Sequence, residues 1–341
     1  MDRTADAADS RDFASLESPA PLARPIRFVF IAAFFAAGLG ALAFGAQGHA
    51  PWREALRLPL PPLAGVPGGS APESETEENV TRIAGKAAAE LYRLYVERGF
   101  VLEAAREGAE IVPRLVVERL PRDMGALDSS EFRKAVFIKT LLPLLLMENE
   151  RILADRARLR EILFAGPDAD PADREWLASL AERYGVEPSQ PRELLRRVDA
   201  VPVSLAIAQA AIETGWGTSR VAQAGQALFG QMVFRNADDD GKVRKFEQLE
   251  HAVQAYAENL NTHRAYAEFR RAREQARRDN PAAGADLTAP DGYNLAQHLR
   301  RYSERGMDYV REVRSLMRVN GLRALDRAKL DTARAETANA G

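Results

Sequence analysis

The string that decides the fold is Gln209-Ala210-Ala211-Ile212-Glu213-Thr214-Gly215-Trp216-Gly217. Val203 to Glu213 reads as a helix, with Leu205, Ala208 and Ile212 recurring on one face. Gly215 and Gly217 end it, because glycine accepts the left-handed backbone that closes a helix. A carboxylate therefore falls in the last turn, at the negative end of the helix dipole, where ionisation is disfavoured. An apolar wall such as Trp216 beside it acts in the same direction by desolvation. A carboxyl kept protonated near neutral pH can donate its proton to a leaving oxygen. The small residues around it leave space for a bulky ligand. Position alone does not separate this reading from an exposed glutamate beside a glycine cap.

Downstream, Leu228 to Phe246 reads as a β-hairpin with Asn236 to Gly241 as its turn. Leu249, Val253, Tyr256 and Leu260 define an amphipathic helix, and Tyr266 to Arg278 a basic one. Leu295 to Arg301 and Met307 to Arg318 are the last helices, with Val310, Val313 and Met317 facing inward. Upstream, Glu77 to Leu163 reads as helical. Ile83, Ala87, Leu91, Leu94 and Tyr95 recur at helical spacing, and Val112-Pro113 marks a break. Phe132, Val136, Phe137, Leu141 and Leu144 to Leu146 form one apolar face, continued by Ile152, Leu153, Leu159, Ile162 and Leu163 on a further helix. Trp176, Leu177, Leu180 and Tyr184 mark another helix, and Glu193 to Val198 a short one. The expected fold is mostly α with one small β element.

The chain has 341 residues, 46% hydrophobic and 28% charged, with a net charge of -2 and no cysteine. That balance carries no global basic field for nucleic acid, and the missing cysteines exclude disulfides and thiolate chemistry. Met1 to Pro25 reads as a disordered tail. Phe28 to Ala46 is uncharged and close to the ~20 residues that span a bilayer. Arg24 and Arg27 precede it, so the positive-inside rule keeps the N-terminus cytoplasmic and sends the rest across an inner membrane as a single-pass protein. Ala41-Leu42-Ala43 also resembles a cleavage site, so a signal peptide is the alternative. The domain reading is a tail over 1–25, an anchor over 26–48, a Pro/Gly/acidic linker over 49–78, a helical scaffold over 79–190, a catalytic domain over 191–327 and a tail over 328–341.

The string from Gln209 to Gly217, followed by Leu228-Phe229-Gly230, resembles the signature of the flagellar-rod-type and Bax-like β-N-acetylglucosaminidases. Tyr256 to Tyr266, Tyr302 to Gly306 with Tyr309, and Arg133-Lys134 through Leu141-Leu142-Pro143 to Asn149 resemble the Bax-like branch. The resemblance covers most of Ile83 to Asp326. It implies a lysozyme-like α+β catalytic domain and cleavage of the β-1,4 bond after N-acetylglucosamine in peptidoglycan glycan strands; the orientation of the anchor puts that domain in the periplasm. The resemblance also implies that Glu213 is the proton donor and that the family's tyrosine near the second catalytic position maps best onto Tyr302. Tyr309 is a weaker candidate. Trp216, Phe229, Asn261 and Tyr266 are candidates for the walls of the substrate cleft.

A second carboxylate normally activates water or stabilises the sugar cation. The hairpin offers Asp238, Asp239, Asp240, Glu247 and Glu250. Glu247 is preferred, since a returning strand there would face the cleft, although His251 stands where Bax-like relatives often carry an acid. Substrate assistance by the N-acetyl group is the alternative. Asn236, Asp238, Asp240 and Glu247 echo a calcium loop, but no entering helix precedes them, and the four histidines lack ligand spacing, so no metal or cofactor is expected. Two rival functions are a lytic transglycosylase and a non-enzymatic wall-binding scaffold, with a divisome or cell-wall regulator as partner. The basic helix reads as a solvated face or as an attractor of anionic wall polymers.

Overall fold

The computed structural model describes residues 80–166, 169–187, 189–233, 242–279 and 290–332. The tail, the Phe28 to Ala46 span and the linker lie outside them, as do Asp238 to Asp240. Among the described residues no helix is long and apolar enough to cross a membrane, and no group of three or more His, Asp or Glu is placed to hold a metal.

Helices dominate. In chain order they are α1 (Ala88–Glu97), α2 (Leu102–Glu107), α3 (Ser130–Ala165), α4 (Pro171–Arg183), α5 (Pro191–Arg197), α6 (Val203–Thr214), α7 (Arg220–Gly225), α8 (Leu249–Thr262), α9 (Ala267–Asp279), α10 (Gly292–Leu295) and α11 (Met307–Val319). The strands among the described residues are β1 (Thr81–Ile83), β2 (Glu110–Val112), β3 (Leu115–Val117), β4 (Met232–Val233), β5 (Lys242–Val243) and β6 (Lys329–Leu330). The expected hairpin is present, as antiparallel β4 and β5. Two further pairs, β1 with β3 and β2 with β6, are parallel. They correct the reading of one β element. Ile83 looked helical from its spacing to Ala87 and Leu91, but it is strand residue opposite Val117. Three-residue strands are too short to show alternation in a sequence.

The largest correction concerns α3. The two helices read between Phe132 and Leu163 are one helix of 36 residues, about 54 Å long at 1.5 Å per residue. Ser129 starts it by accepting a hydrogen bond from the Phe132 N–H. Pro143 lies inside and forfeits one backbone bond, a cost of about 3 kcal/mol. Burial offsets this, because Leu141, Leu142, Leu144 and Leu145 around it are all buried, each contributing about 1.5–3 kcal/mol. One continuous set of buried residues runs from Ile83 to Leu330, so residues 79–190 and 191–327 share a core. The tail read over 328–341 begins later than expected, since Lys329 and Leu330 pair with Glu110 and Val112.

Three contacts fix α6, which carries the site. Asn149 of α3 receives the Val201 N–H at 2.9 Å and donates to the Val201 carbonyl at 2.7 Å. At the start of α6, Asp326 accepts the Ser204 N–H at 2.9 Å and the Ser204 hydroxyl at 2.7 Å. Asp326 also accepts the Gly292 N–H at 2.9 Å. Burial pushes this carboxyl up to about 6 against the pull of those donors. A Cβ on Gly292 would lie 2.5 Å from Ser204 Oγ and 2.7 Å from Pro202 Cβ. Gly292→Ala is therefore expected to destabilise the fold by about 1–3 kcal/mol through overpacking, read as a lowered urea midpoint at unchanged slope.

The basic helix α9 turns Arg270, Arg273 and Arg277 inward and leaves Arg271 and Arg278 exposed. Arg270 and Arg273 are buried. Arg270 donates to the carbonyls of Leu260 and His263, and Arg273 to those of Asp199 and Ala200. Arg277 forks onto the Asp199 carboxylate at 2.6 and 2.8 Å. Arg264, Arg271 and Arg278 remain exposed on the outer side, while the inward face is closed to polymers. It is a buried ionic junction holding the strand of chain that enters α6.

Candidate active site

The end of α6 is built by its sequence. Gly215 caps it in the left-handed region at φ 58°, and Trp216 follows at φ 59°. A side chain in that region costs about 1–2 kcal/mol. The turn is held in compensation. Trp216 N–H donates to the Ala211 carbonyl at 3.1 Å, and Ser219 N–H to the Thr214 carbonyl at 2.9 Å. The Thr214 hydroxyl accepts the Gly217 N–H at 2.9 Å and donates to the Ala210 carbonyl at 2.7 Å. The Trp216 ring meets Phe137 of α3 edge-on at 5.7 Å, with Lys134 Nζ 5.8 Å from its centre. A Cβ at Gly217 would press on Phe137 at 3.2 Å, so glycine is required there for space as well as for φ.

Glu213 projects from this last turn and is half-buried. Its Oε1 accepts a hydrogen bond from the Tyr309 hydroxyl of α11 at 3.2 Å. Burial pushes the carboxyl up to about 7; the Tyr309 donor and Arg305 oppose that shift, and Glu312 adds to it. Arg305 and Glu312 form an ion pair at 2.6 Å. The desolvation expected from the sequence is thus the leading cause.

A raised carboxyl has a stability consequence. The folded chain keeps a proton that the unfolded chain loses between pH 4.5 and about 7. Stability therefore falls as pH rises through that window, by about 3 kcal/mol, and levels off above it. Glu213→Gln is expected to be more stable than the wild type by about 2–3 kcal/mol at pH 8 and equal to it at pH 4. Urea unfolding at the two pH values checks this, and an equal difference at both would contradict it.

Beneath Glu213 lies a buried aromatic cluster. Phe229 stacks on Tyr256 at 3.9 Å, and Tyr302 stacks on Tyr309 at 5.6 Å. Tyr256 and Tyr266 also face Tyr302, at 6.5 and 5.9 Å. Four of the residues singled out in the sequence, Phe229, Tyr266, Tyr302 and Tyr309, are brought together here. The order of the two tyrosines differs from the sequence reading. The Tyr302 hydroxyl donates to the Phe229 carbonyl at 3.1 Å, whereas the weaker candidate, Tyr309, is the one bonded to Glu213. Asn261 sits elsewhere: it is buried and donates to the Asp199 carbonyl at 3.0 Å, in the ionic junction. Glu247 is exposed in the bend before α8, not on a strand, and its carboxylate makes no hydrogen bond or ion pair among the described residues.

Sequence reasoning missed the roles of Gln209, Tyr256, Arg305 and Glu312. Gln209, one turn before Glu213 on α6, is buried and bonded to both Tyr256 and Tyr309. Its place in the opening string and its four-residue spacing from Glu213 were the available signal. Tyr256 was read as a helix-face residue and as the start of the Tyr256 to Tyr266 resemblance, with no role at the site. The Arg305–Glu312 pair gave a weaker signal, with Glu312 three residues beyond Tyr309 on the same helix.

The glucosaminidase family, described as mannosyl-glycoprotein endo-beta-N-acetylglucosaminidase, matches residues 190–322, which contain α6, α8 and α11. Protein bax of Escherichia coli (strain K12) is 35% identical over 198 residues, covering 55% of this chain and 69% of the relative. The chain belongs to the Bax-like glucosaminidases. Membership makes this glucosaminidase a glycoside hydrolase in general class, with a glycan as its substrate. No solved structure matches it.

Proposed function

We propose that this glucosaminidase cleaves the β-1,4 bond after N-acetylglucosamine in peptidoglycan, with Glu213 as the general acid. The observation that carries the reading is the Glu213 carboxyl, half-buried and pushed up to about 7. At neutral pH a large share of such groups still hold the proton that a departing sugar oxygen needs, whereas an exposed glutamate holds almost none. Trp216 and the Thr214 to Gly217 turn border this carboxyl in the chain and supply an apolar edge for a sugar ring. The step breaks the bond between the anomeric carbon and the leaving oxygen. The Glu213 proton goes to that oxygen, water adds its hydroxyl to the anomeric carbon, and the water's remaining proton restores the carboxyl acid.

The second group remains open between the hairpin acids, which include Glu247, and the substrate's own N-acetyl oxygen. Phe28 to Ala46 would anchor the chain in the inner membrane, with the site in the periplasm, and a divisome or cell-wall regulator is the proposed class of partner. Digestion of purified peptidoglycan by the full chain in detergent, beside Glu213→Gln, with mass spectrometry of the products, tests the reading. Reducing-end N-acetylglucosamine from the wild type alone is the expected result. Anhydromuramyl ends would replace the hydrolase by a lytic transglycosylase. No product from either protein would point to a wall-binding scaffold.

A further inference from the structure

Four side chains form a single file of hydrogen bonds under the site. The Tyr256 hydroxyl donates to Gln209 Oε1 at 2.7 Å. Gln209 Nε2 donates to the Tyr309 oxygen at 3.1 Å. The Tyr309 hydroxyl donates to Glu213 Oε1 at 3.2 Å. Tyr256, Gln209 and Tyr309 each have a relative exposure of 0%, so bulk water does not compete for these bonds.

The direction of the file is set by the amide. A primary amide offers an acceptor at one end and donors at the other. If Gln209 were turned over, its Nε2 would donate to Tyr256, and the Tyr256 hydrogen would then have no acceptor among the described residues. A buried hydroxyl hydrogen left unpaired forfeits its bond to water with nothing in exchange, which disfavours that orientation. Tyr256 therefore holds the Gln209 carbonyl toward itself and the amine toward Tyr309. With the amine donating to its oxygen, Tyr309 must send its own hydrogen onward, and Glu213 Oε1 is the acceptor in reach. A proton on Oε1 would then point at the Tyr309 hydrogen. The free position is Oε2.

We propose that Gln209 and Tyr256 are positioning residues that fix Tyr309 as a one-way donor to Glu213 Oε1, so that the transferable proton rides on Oε2. The proposal rests on the reading of Glu213 as the general acid. It gives the carboxyl one defined acid oxygen rather than two. It also gives the ionised form, which must exist after proton transfer, a donor that needs no reorganisation.

The test is the pH dependence of peptidoglycan digestion by the full chain in detergent, for Tyr256→Phe, Gln209→Met, Tyr309→Phe and Glu213→Gln. Glu213→Gln must first lower kcat by at least about 100-fold; if it does not, the general-acid reading itself fails, whatever the other variants do. Given that loss, Tyr309→Phe is expected to move the alkaline limb of kcat upward by about one pH unit, as a donor to the ionised form is lost. Tyr256→Phe and Gln209→Met are expected to shift the limb the same way and to lower kcat about tenfold, with KM within about twofold. Limbs that stay in place in both variants overturn the proposal, whether kcat is unchanged or falls, because general damage to the fold lowers the active fraction without moving a titration. Folding of each variant is followed by its urea midpoint. If Gln209→Met does not fold, the milder Tyr256→Phe decides alone.

Discussion

Glu213→Gln is expected to lower kcat for peptidoglycan digestion by about 10²–10⁴-fold, the range over which a positioned acid contributes, while KM changes little. Glutamine keeps the carbonyl oxygen that accepts from Tyr309 but has no acidic proton to give. The wild type should show a rate that is flat below about pH 7, where the carboxyl holds its proton. Above that it should fall tenfold per pH unit as the acid is titrated away. The residual activity of the variant should show no such limb. A glutamine variant that retained wild-type kcat would remove Glu213 from the chemistry.

The second large effect concerns stability. Burial of Asp199 pushes its carboxyl up, but Arg156, Arg273 and Arg277 outweigh that and hold it well below the usual carboxylate range. Arg273 has a side-chain exposure of 0% and Asp199 of 3%, so neither charge is screened by water. Removing the carboxylate leaves buried guanidinium charges uncompensated. Asp199→Asn is therefore expected to cost ~3–5 kcal/mol in urea unfolding at pH 7. The sign with pH follows from the depressed carboxyl. Its stabilisation is complete above the unfolded value near 3.8 and is lost as pH falls below that toward the lower folded value. The gap between wild type and variant should hold from pH 7 to about pH 4 and narrow only below. A cost under about 1 kcal/mol would show that the junction tolerates a neutral centre.

What the sequence disclosed was local chemistry. The end of α6 was legible because Gly215 and Gly217 announce a left-handed turn whatever surrounds them. The hairpin was legible because a polar turn separates its two arms. The burial of Glu213 by its surroundings was anticipated in kind, since a helix end beside a tryptophan is rarely fully wet. Long-range pairings were not legible. Ile83 obeys a helical spacing and yet lies in β1, because its partner Val117 is supplied by tertiary structure. The sequence divided Phe132 to Leu163 into two helices, and only the all-round burial of the residues around Pro143 explains why α3 runs unbroken through it. The arginines of α9 misled for a similar reason. Charge at positions 270, 273 and 277 marks a face as clearly as leucine does, but the sequence does not reveal that Asp199 and a set of backbone carbonyls wait on the inner side. Which of Tyr302 and Tyr309 reaches Glu213 was not legible on the same ground, since both stack together and only the reach of one hydroxyl separates them.

The pairing of β2 with β6 ties Glu110 and Val112 to Lys329 and Leu330, and Asp326 reaches back in the same way to Ser204. These contacts join segments more than one hundred residues apart, so the cost of closing long loops falls before their reward arrives. The final strand acts as a latch. A nascent chain can form α3 as it emerges, but it cannot seat the start of α6 until residue 326 is available, nor close the parallel pair until residue 330 is. Assembly of the site is thereby deferred until residues 326 to 330 have been made. A chain interrupted shortly before that latch would carry every residue of the Glu213 cluster and still lack the frame that holds them in register.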